Sequence, residues 1–363
     1  MVQMKNYYAG SNSSVGFYSL YDEALKGLDR LYILKGGPGT GKSTFMRKIG
    51  LFLMEKGYGL EYLHCSSDNQ SIDGLIIPEL KLGFVDGTAP HIVEPKYPGV
   101  IEKVIDLGQF RNDYQLSKNK NEINDITDDI SENFQAAYKV FAEAKKIHLQ
   151  REDIYLSSMD FKKADDVTSG LMEKIFSQTP EKESTPHSRK RFFGAATPKG
   201  AVNFIDNLTE DLEKRFIIKG RPGSGKSTLM KAIGKRAEES GLSVEYFQCA
   251  FDPSSVDMII IPSLSVSIVD GTAPHVVDPF RMQDEVVDMF KLCMDTSIEV
   301  THQKEIHELN TIYKNKMALA TNFLSEAKRL HDKIEDYYKE AMDFSAVDNK
   351  REDVIKDVCK EFL

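Results

Sequence analysis

Short apolar runs alternate with longer stretches of helical period along this chain, and the alternation occurs twice. Leu31–Leu34 is an apolar run of the kind a buried strand needs. Glycines follow it, and helical spacing begins at about Ser43. Gly57 predicts the end of that helix, because glycine readily takes the left-handed conformation that closes a last turn. Leu60–Cys65 predicts a second strand, and Leu82–Val85 a third that ends on Asp86. Strand, helix, strand in this order predicts a right-handed crossover and a parallel sheet. The same succession returns with Phe216–Ile218, a helix from about Ser227 to Gly241, then Val244–Cys249, then Val266–Val269 ending on Asp270.

From about Pro98 to Phe176, and from Pro279 to Leu363, the period is helical. Ile130, Phe134, Ala137, Phe141, Ala144 and His148 fall at alternating spacings of four and three. Tyr313, Met317, Ala320, Leu324, Ala327, His331 and Ile334 do the same. Such stripes suit an antiparallel helical hairpin or coiled coil. A helix of roughly 40 residues is on the order of 60 Å long, enough to project from the core. Two arrangements are open: each hairpin packs on its own domain, or the helices act as arms between the copies or toward a protein partner. His148 and His331 lie on the stripes and read as core residues, and Cys65 and Cys249 close strands and read as packing residues.

The recurrence is an internal duplication. Each position from Gly10 to Pro95 has its counterpart 184 residues later (226 − 42), without a gap, and more than a third of the pairs are identical. Lys35–Thr44 matches Lys219–Thr228, Glu61-Tyr62 with Cys65 matches Glu245-Tyr246 with Cys249, and Val85–His91 recurs as Val269–His275. Further on the offset is 183: Glu143-Ala144-Lys145 with His148 matches Glu326-Ala327-Lys328 with His331, and Met159-Asp160-Phe161 matches Met342-Asp343-Phe344. The expected organisation is one domain over residues 1–176, a linker over 177–190 rich in Ser, Thr, Pro, Glu and Lys, and a second domain over 191–363. The basic cluster Arg189, Lys190, Arg191 reads as solvated linker.

At 363 residues the chain can bury two cores, and 41% hydrophobic with 28% charged residues is an ordinary globular balance. A net charge of −9 argues against nucleic acid or an anionic membrane as partner. No run approaches the ~18 apolar residues of a membrane helix. Met1–Tyr8 has no signal-peptide core, and no Cys-x-x-Cys pair is present, so a cytoplasmic protein is expected.

The chemistry is carried by two loops, Gly36-Gly37-Pro38-Gly39-Thr40-Gly41-Lys42-Ser43-Thr44 and Gly220-Arg221-Pro222-Gly223-Ser224-Gly225-Lys226-Ser227-Thr228. Glycines let successive N–H groups point inward around phosphate oxygens, and the following helix adds its positive end. Lys42 and Lys226 are placed to reach the β- and γ-phosphates, and Ser43 and Ser227 to bind Mg²⁺. Asp86 and Asp270 lie 44 residues after those lysines (86 − 42), where a second magnesium ligand is expected, although Asp-Gly is also a common turn.

On these motifs the sequence resembles the P-loop NTPase superfamily, and more narrowly a group of bacterial ATP-binding proteins with two such domains in tandem. The resemblance implies an α/β fold, ATP with Mg²⁺, and hydrolysis coupled to conformational change. Two departures bear on rate: Gly87 and Gly271 stand where many hydrolysing relatives carry a water-polarising glutamate, and no arginine is shared by the aligned copies. His91 and His275 are the candidates for positioning water. Asp68, Asp252, Asp73, Asp257, Glu94 and Asp278 are further carboxylates for that role or for turns. A nucleotide or small-molecule kinase and a nucleotide-regulated scaffold without turnover are the alternatives.

Overall fold

A computed structural model describes residues 3–177 and 182–363. Copy one contains strand β1 (Met4–Tyr7), β2 (Arg30–Lys35), helix α1 (Lys42–Glu55), β3 (Leu60–His64), β4 (Ile72–Ile77), β5 (Leu82–Asp86) and β6 (Glu102–Asp106). It continues into α2 (Lys120–Leu156) and α3 (Phe161–Ile175). Copy two repeats the series as β7 (Ser188–Arg191), β8 (Lys214–Lys219), α4 (Lys226–Glu239), β9 (Val244–Gln248), β10 (Val256–Ile261), β11 (Val266–Asp270) and β12 (Asp284–Asp288). It ends with α5 (Gln303–Glu340) and α6 (Phe344–Phe362).

Each copy builds a six-stranded sheet, in the order β1-β3-β4-β5-β2-β6 and β7-β9-β10-β11-β8-β12. The fold is α/β, but the expectation of a wholly parallel sheet is corrected by one strand per copy. β4 runs antiparallel to β3 and β5, and β10 to β9 and β11, while the other pairings are parallel. The reason is length. Ile72 follows His64 too closely for the dozen or more residues that a parallel crossover requires.

Alternation along β2 divides its side chains between two cores. Tyr32 and Leu34 pack with Phe45, Ile49 and Leu53 of α1. Leu31 and Ile33 enter a core that also holds Leu63 and Val85 and, from copy two, Ile217, Phe247, Met258 and Val269. The two sheets therefore share an interior.

Residues 178–181 of the expected linker lie outside the described residues. Its end is not linker, because Ser188–Arg191 is β7, paired in parallel with β9. The reading of Arg191 as solvated is also corrected: it is 1% exposed. Its Nη2 lies 3.2 Å from Glu61 and its Nη1 3.3 Å from Glu245, and its guanidinium sits 4.4 Å from the Tyr7 ring centroid. Glu61 and Glu245 are counterparts, so the duplication brings two carboxylates together, and one buried cation answers both. Burial opposes that charge, but Glu61, Tyr7 and Glu245 outweigh it and hold the arginine pKa above its usual value.

Of the two arrangements, the long helices take the one between the copies, packing chiefly on one another. α2 and α5 lie antiparallel along one another, with Ile126 beside Leu330 and Ile334, Phe141 beside Ala320 and Leu324, and Tyr155 beside Ile306. Their midpoint rests on the junction of the copies, where Tyr138 Oη donates to Asn12 Oδ1 at 3.0 Å. The helices that follow are exchanged. Leu171 and Ile175 of α3 enter the core of copy two beside Phe216, Ile218 and Leu229. Val347, Val354 and Val358 of α6 enter the core of copy one beside Tyr32, Leu34 and Phe45. The repeated Met-Asp-Phe marks the turn into each exchanged helix, and Asp160 and Asp343 are their N-caps.

Candidate functional site

Both glycine loops leave the end of a central strand and enter a helix. Gly36, Gly39 and Gly41 have φ of 144°, 67° and 89°, and Gly223 and Gly225 have φ of 74° and 81°, a backbone other residues rarely adopt. Neither α1 nor α4 has a side-chain cap, so their first N–H groups are left to the loop or to a ligand. Lys42 Nζ donates to the carbonyls of Gly36 (3.1 Å) and Gly37 (2.8 Å), and Lys226 Nζ to that of Arg221 (3.0 Å). Thr40 Oγ1 donates to the Gly37 carbonyl at 2.9 Å, while its counterpart Ser224 Oγ is buried without a partner. Pro38 and Pro222 complete the turns, and Thr44 and Thr228 are exposed.

Sheet register brings the aspartates to the loops. Leu34 pairs with Asp86 and Ile218 with Asp270, two residues before the first loop glycine. Asp86 Oδ1 accepts from Thr88 N (2.9 Å) and Oγ1 (2.5 Å), which turns Oδ2 to 3.5 Å from Lys42 Nζ. Asp270 repeats this with Thr272 and lies 3.6 Å from Lys226 Nζ. Turn and lysine contact are thus made by one side chain. Ser43 Oγ accepts from Ile72 N at 3.1 Å and Ser227 Oγ from Val256 N at 3.0 Å, which fixes each hydroxyl beside the strand that follows. The chemistry of this donor set fits Mg²⁺, which takes hard oxygens and keeps several waters. Ser43 with Asp86, and Ser227 with Asp270, are the residues that would hold it.

Behind Asp86, the two copies differ. His91 Nε2 lies 3.3 Å from Asp73 Oδ2, Tyr21 Oη donates to the same oxygen at 2.9 Å, and Cys65 is adjacent. Burial alone would push the Asp73 carboxyl up, but His91, Tyr21 and Cys65 hold it below its usual value. Burial likewise opposes the His91 charge, yet Asp73, with Asp86 beyond, holds its pKa above the ordinary one. His91 Nδ1 and its counterpart His275 Nδ1 are alike in being buried without a partner. In copy two Ile205 replaces Tyr21, and His275 has no carboxylate in ion-pair range among the described residues. Burial drives His275 down to about 4, and burial with Asp270 nearby pushes Asp257 up to about 7. Burial also raises the thiols of Cys65 and Cys249, as packing residues allow.

The other carboxylates fall outside the loops. Glu94 and Asp278 pair with Lys35 and Lys219, whose Nζ atoms also bind the carbonyls of Gly87 and Val93 and of Gly271 and Val277. Asp68 pairs with Lys328 at 3.3 Å, and Asp252 with Lys145. These lysines belong to the long helix of the opposite copy, and the repeated Glu-Ala-Lys was the sequence signal for them. His148 and His331 are half-buried beside them, His148 lowered to about 4 by burial and neighbouring cations.

The long helices cover both loops, α5 that of copy one and α2 that of copy two. A side chain at Gly37 would meet Tyr338, one at Gly39 the Glu335 carbonyl at 2.7 Å, and one at Gly223 the Glu152 carbonyl at 2.9 Å. Glu152 and Glu335 are counterparts, so each loop faces the same point on the other copy's helix. No family model, curated protein or solved structure matches the chain. Among the described residues no helix is long and apolar enough to cross a membrane.

Proposed function

We propose that the chain is a Mg²⁺-dependent ATP-binding protein that hydrolyses ATP slowly and couples the cycle to movement of the long helices that cover the loops. The observation that carries this reading is the pairing, in both copies, of a left-handed glycine loop with a lysine aimed at a turn-locked aspartate on the neighbouring strand. Charge neutralisation and positioning are the main contributions to phosphoryl transfer. Mg²⁺ supplies further neutralisation of the β- and γ-phosphate oxygens when bound. Lys42 and Lys226 would exchange their loop carbonyls for phosphate oxygens, and the first N–H groups of α1 and α4 would add their dipoles. Asp73 orients His91 through Nε2 and leaves Nδ1 free to hold a water, whereas His275 lacks that partner, so copy one is the better equipped for hydrolysis.

Slowness follows from Gly87 and Gly271, which place no carboxylate next to the metal-binding aspartates. Coupling is supported by the cover: Tyr338 and Glu335 lie against one loop and Glu152 against the other, so a change of loop conformation on binding would reach the long helices. Phosphate release from ATP–Mg²⁺ should exceed that of the Lys42→Ala, Lys226→Ala double variant. Release equal to that variant, with ready transfer to an added nucleotide or small-molecule acceptor, would make the protein a kinase instead.

A further inference from the structure

The two loops are not covered by the same chemistry. Counterpart positions on the long helices carry Lys145 and Lys328, each already paired with an aspartate, and these do not distinguish the copies. Six residues further along, α2 carries Arg151 where α5 carries Ile334, and the copy-two loop carries Arg221 where the copy-one loop carries Gly37. Copy two therefore has two guanidinium groups that copy one lacks at these positions.

Their partners differ. Arg221 Nε donates to Glu299 Oε1 at 2.6 Å, and its guanidinium stacks 5.0 Å from the Phe290 ring. Arg151 has no carboxylate within ion-pair range and no hydrogen-bond partner among the described residues. Its Nε is buried, and its guanidinium rests 5.0 Å from the Tyr313 ring. The next residue, Glu152, places its carbonyl against Gly223 of the loop. A half-buried cation with unmet donors beside a glycine loop is the chemistry that recognises an anion. Burial lowers the Arg151 pKa, and the like charge of Arg221 adds to that lowering, a cost that an arriving anion would relieve.

We infer that Arg151, carried by the long helix α2 of copy one, contacts the terminal phosphate of a nucleoside triphosphate held by the copy-two loop, Gly220–Thr228. This rests on the ATP-binding reading of the loops and deepens it. The guanidinium fork matches phosphate oxygens in two parallel bonds, and a contact to the terminal group is lost with the diphosphate. Copy two is then the site that discriminates ATP from ADP, and copy one, with Ile334 in that place, discriminates less.

The test isolates copy two with Lys42→Ala and measures ATP–Mg²⁺ and ADP–Mg²⁺ affinity with and without Arg151→Ile, the residue of the other copy. The expected result is a loss of about tenfold in ATP affinity with ADP affinity changed less than twofold. Arg151→Lys should lie between, since it keeps charge but not the fork, and it serves in place of Arg151→Ile should that variant melt early. An equal loss for both nucleotides, or no loss, overturns the inference while leaving the ATP-binding reading standing. Failure of the Lys42→Ala protein itself to bind ATP removes both.

Discussion

Asp86 shows how one residue satisfies two demands. Oδ1 closes the turn onto Thr88, and that bond aims Oδ2 at Lys42. Asp86→Asn keeps a turn acceptor but loses the charge. Turnover per folded molecule should fall at least tenfold at limiting Mg²⁺ with little change in melting temperature, and a sharp fall in melting temperature with unchanged turnover would assign Asp86 to the turn alone. His91 and His275 should separate in their response to pH. His91 has its pKa raised above 6.5 in the fold and Asp73 has its own lowered below 3.8. The pair's contribution is present between those limits and fades as pH rises through the His91 value. Burial depresses His275 to about 4, so the unfolded chain takes up a proton that the fold refuses, and stability drains as pH falls from 6.5 toward 4. Denaturant midpoints across that range should show His91→Ala most destabilising on the acidic side and least above neutrality. His275→Ala should flatten the acid loss, and identical profiles for the two variants would contradict the difference drawn between the copies. Much of this site was legible in the sequence, because the glycine loop and the aspartate are fixed by short-range spacing. Arg191 and Arg151 were not, since part of what surrounds each, Tyr7 and Glu61 for the first and Tyr313 for the second, comes from the other half of the chain.

At the scale of elements, the strands β2, β3 and β5 and the helix α1 stand where apolar runs and Gly57 put them. β4 was missed because Ile72–Ile77 is buried throughout and shows no alternation to mark it as a strand. The helical stretches expected from Pro98 and Pro279 are corrected at their starts, where Glu102–Asp106 and Asp284–Asp288 are the strands β6 and β12. The helix exchange was unreadable for a different reason. Duplicated sequences present nearly the same docking face twice, so an apolar stripe says that α3 and α6 must be buried but not in which copy. The exchange makes its own prediction. Val358→Ala, at the C-terminal end of the chain, should cost roughly 1–3 kcal/mol and should loosen copy one. Hydrogen exchange should rise in Lys42–Glu55 and stay unchanged in Lys226–Glu239. Increased exchange confined to α4 would place α6 on its own domain.

Over the whole molecule, the shared interior, the Glu61–Arg191–Glu245 cluster and the exchanged helices make the copies interdependent. Neither half has a complete core: residues 3–177 lack α6 and residues 182–363 lack α3. The duplication also gives the molecule two glycine loops, each covered by the other copy's long helix, so on the proposed reading a nucleotide at one loop would be felt by the helix pair that covers both. Everything functional depends on those loops holding nucleotide. The direct measurement is the stoichiometry of ATP–Mg²⁺ binding at equilibrium, on the full chain and on Lys42→Ala, Lys226→Ala and the double variant, with folding checked by circular dichroism. Two sites per chain are expected, one in each single variant and none in the double. Binding that is absent from the full chain, or a site count unchanged by both substitutions, would contradict it.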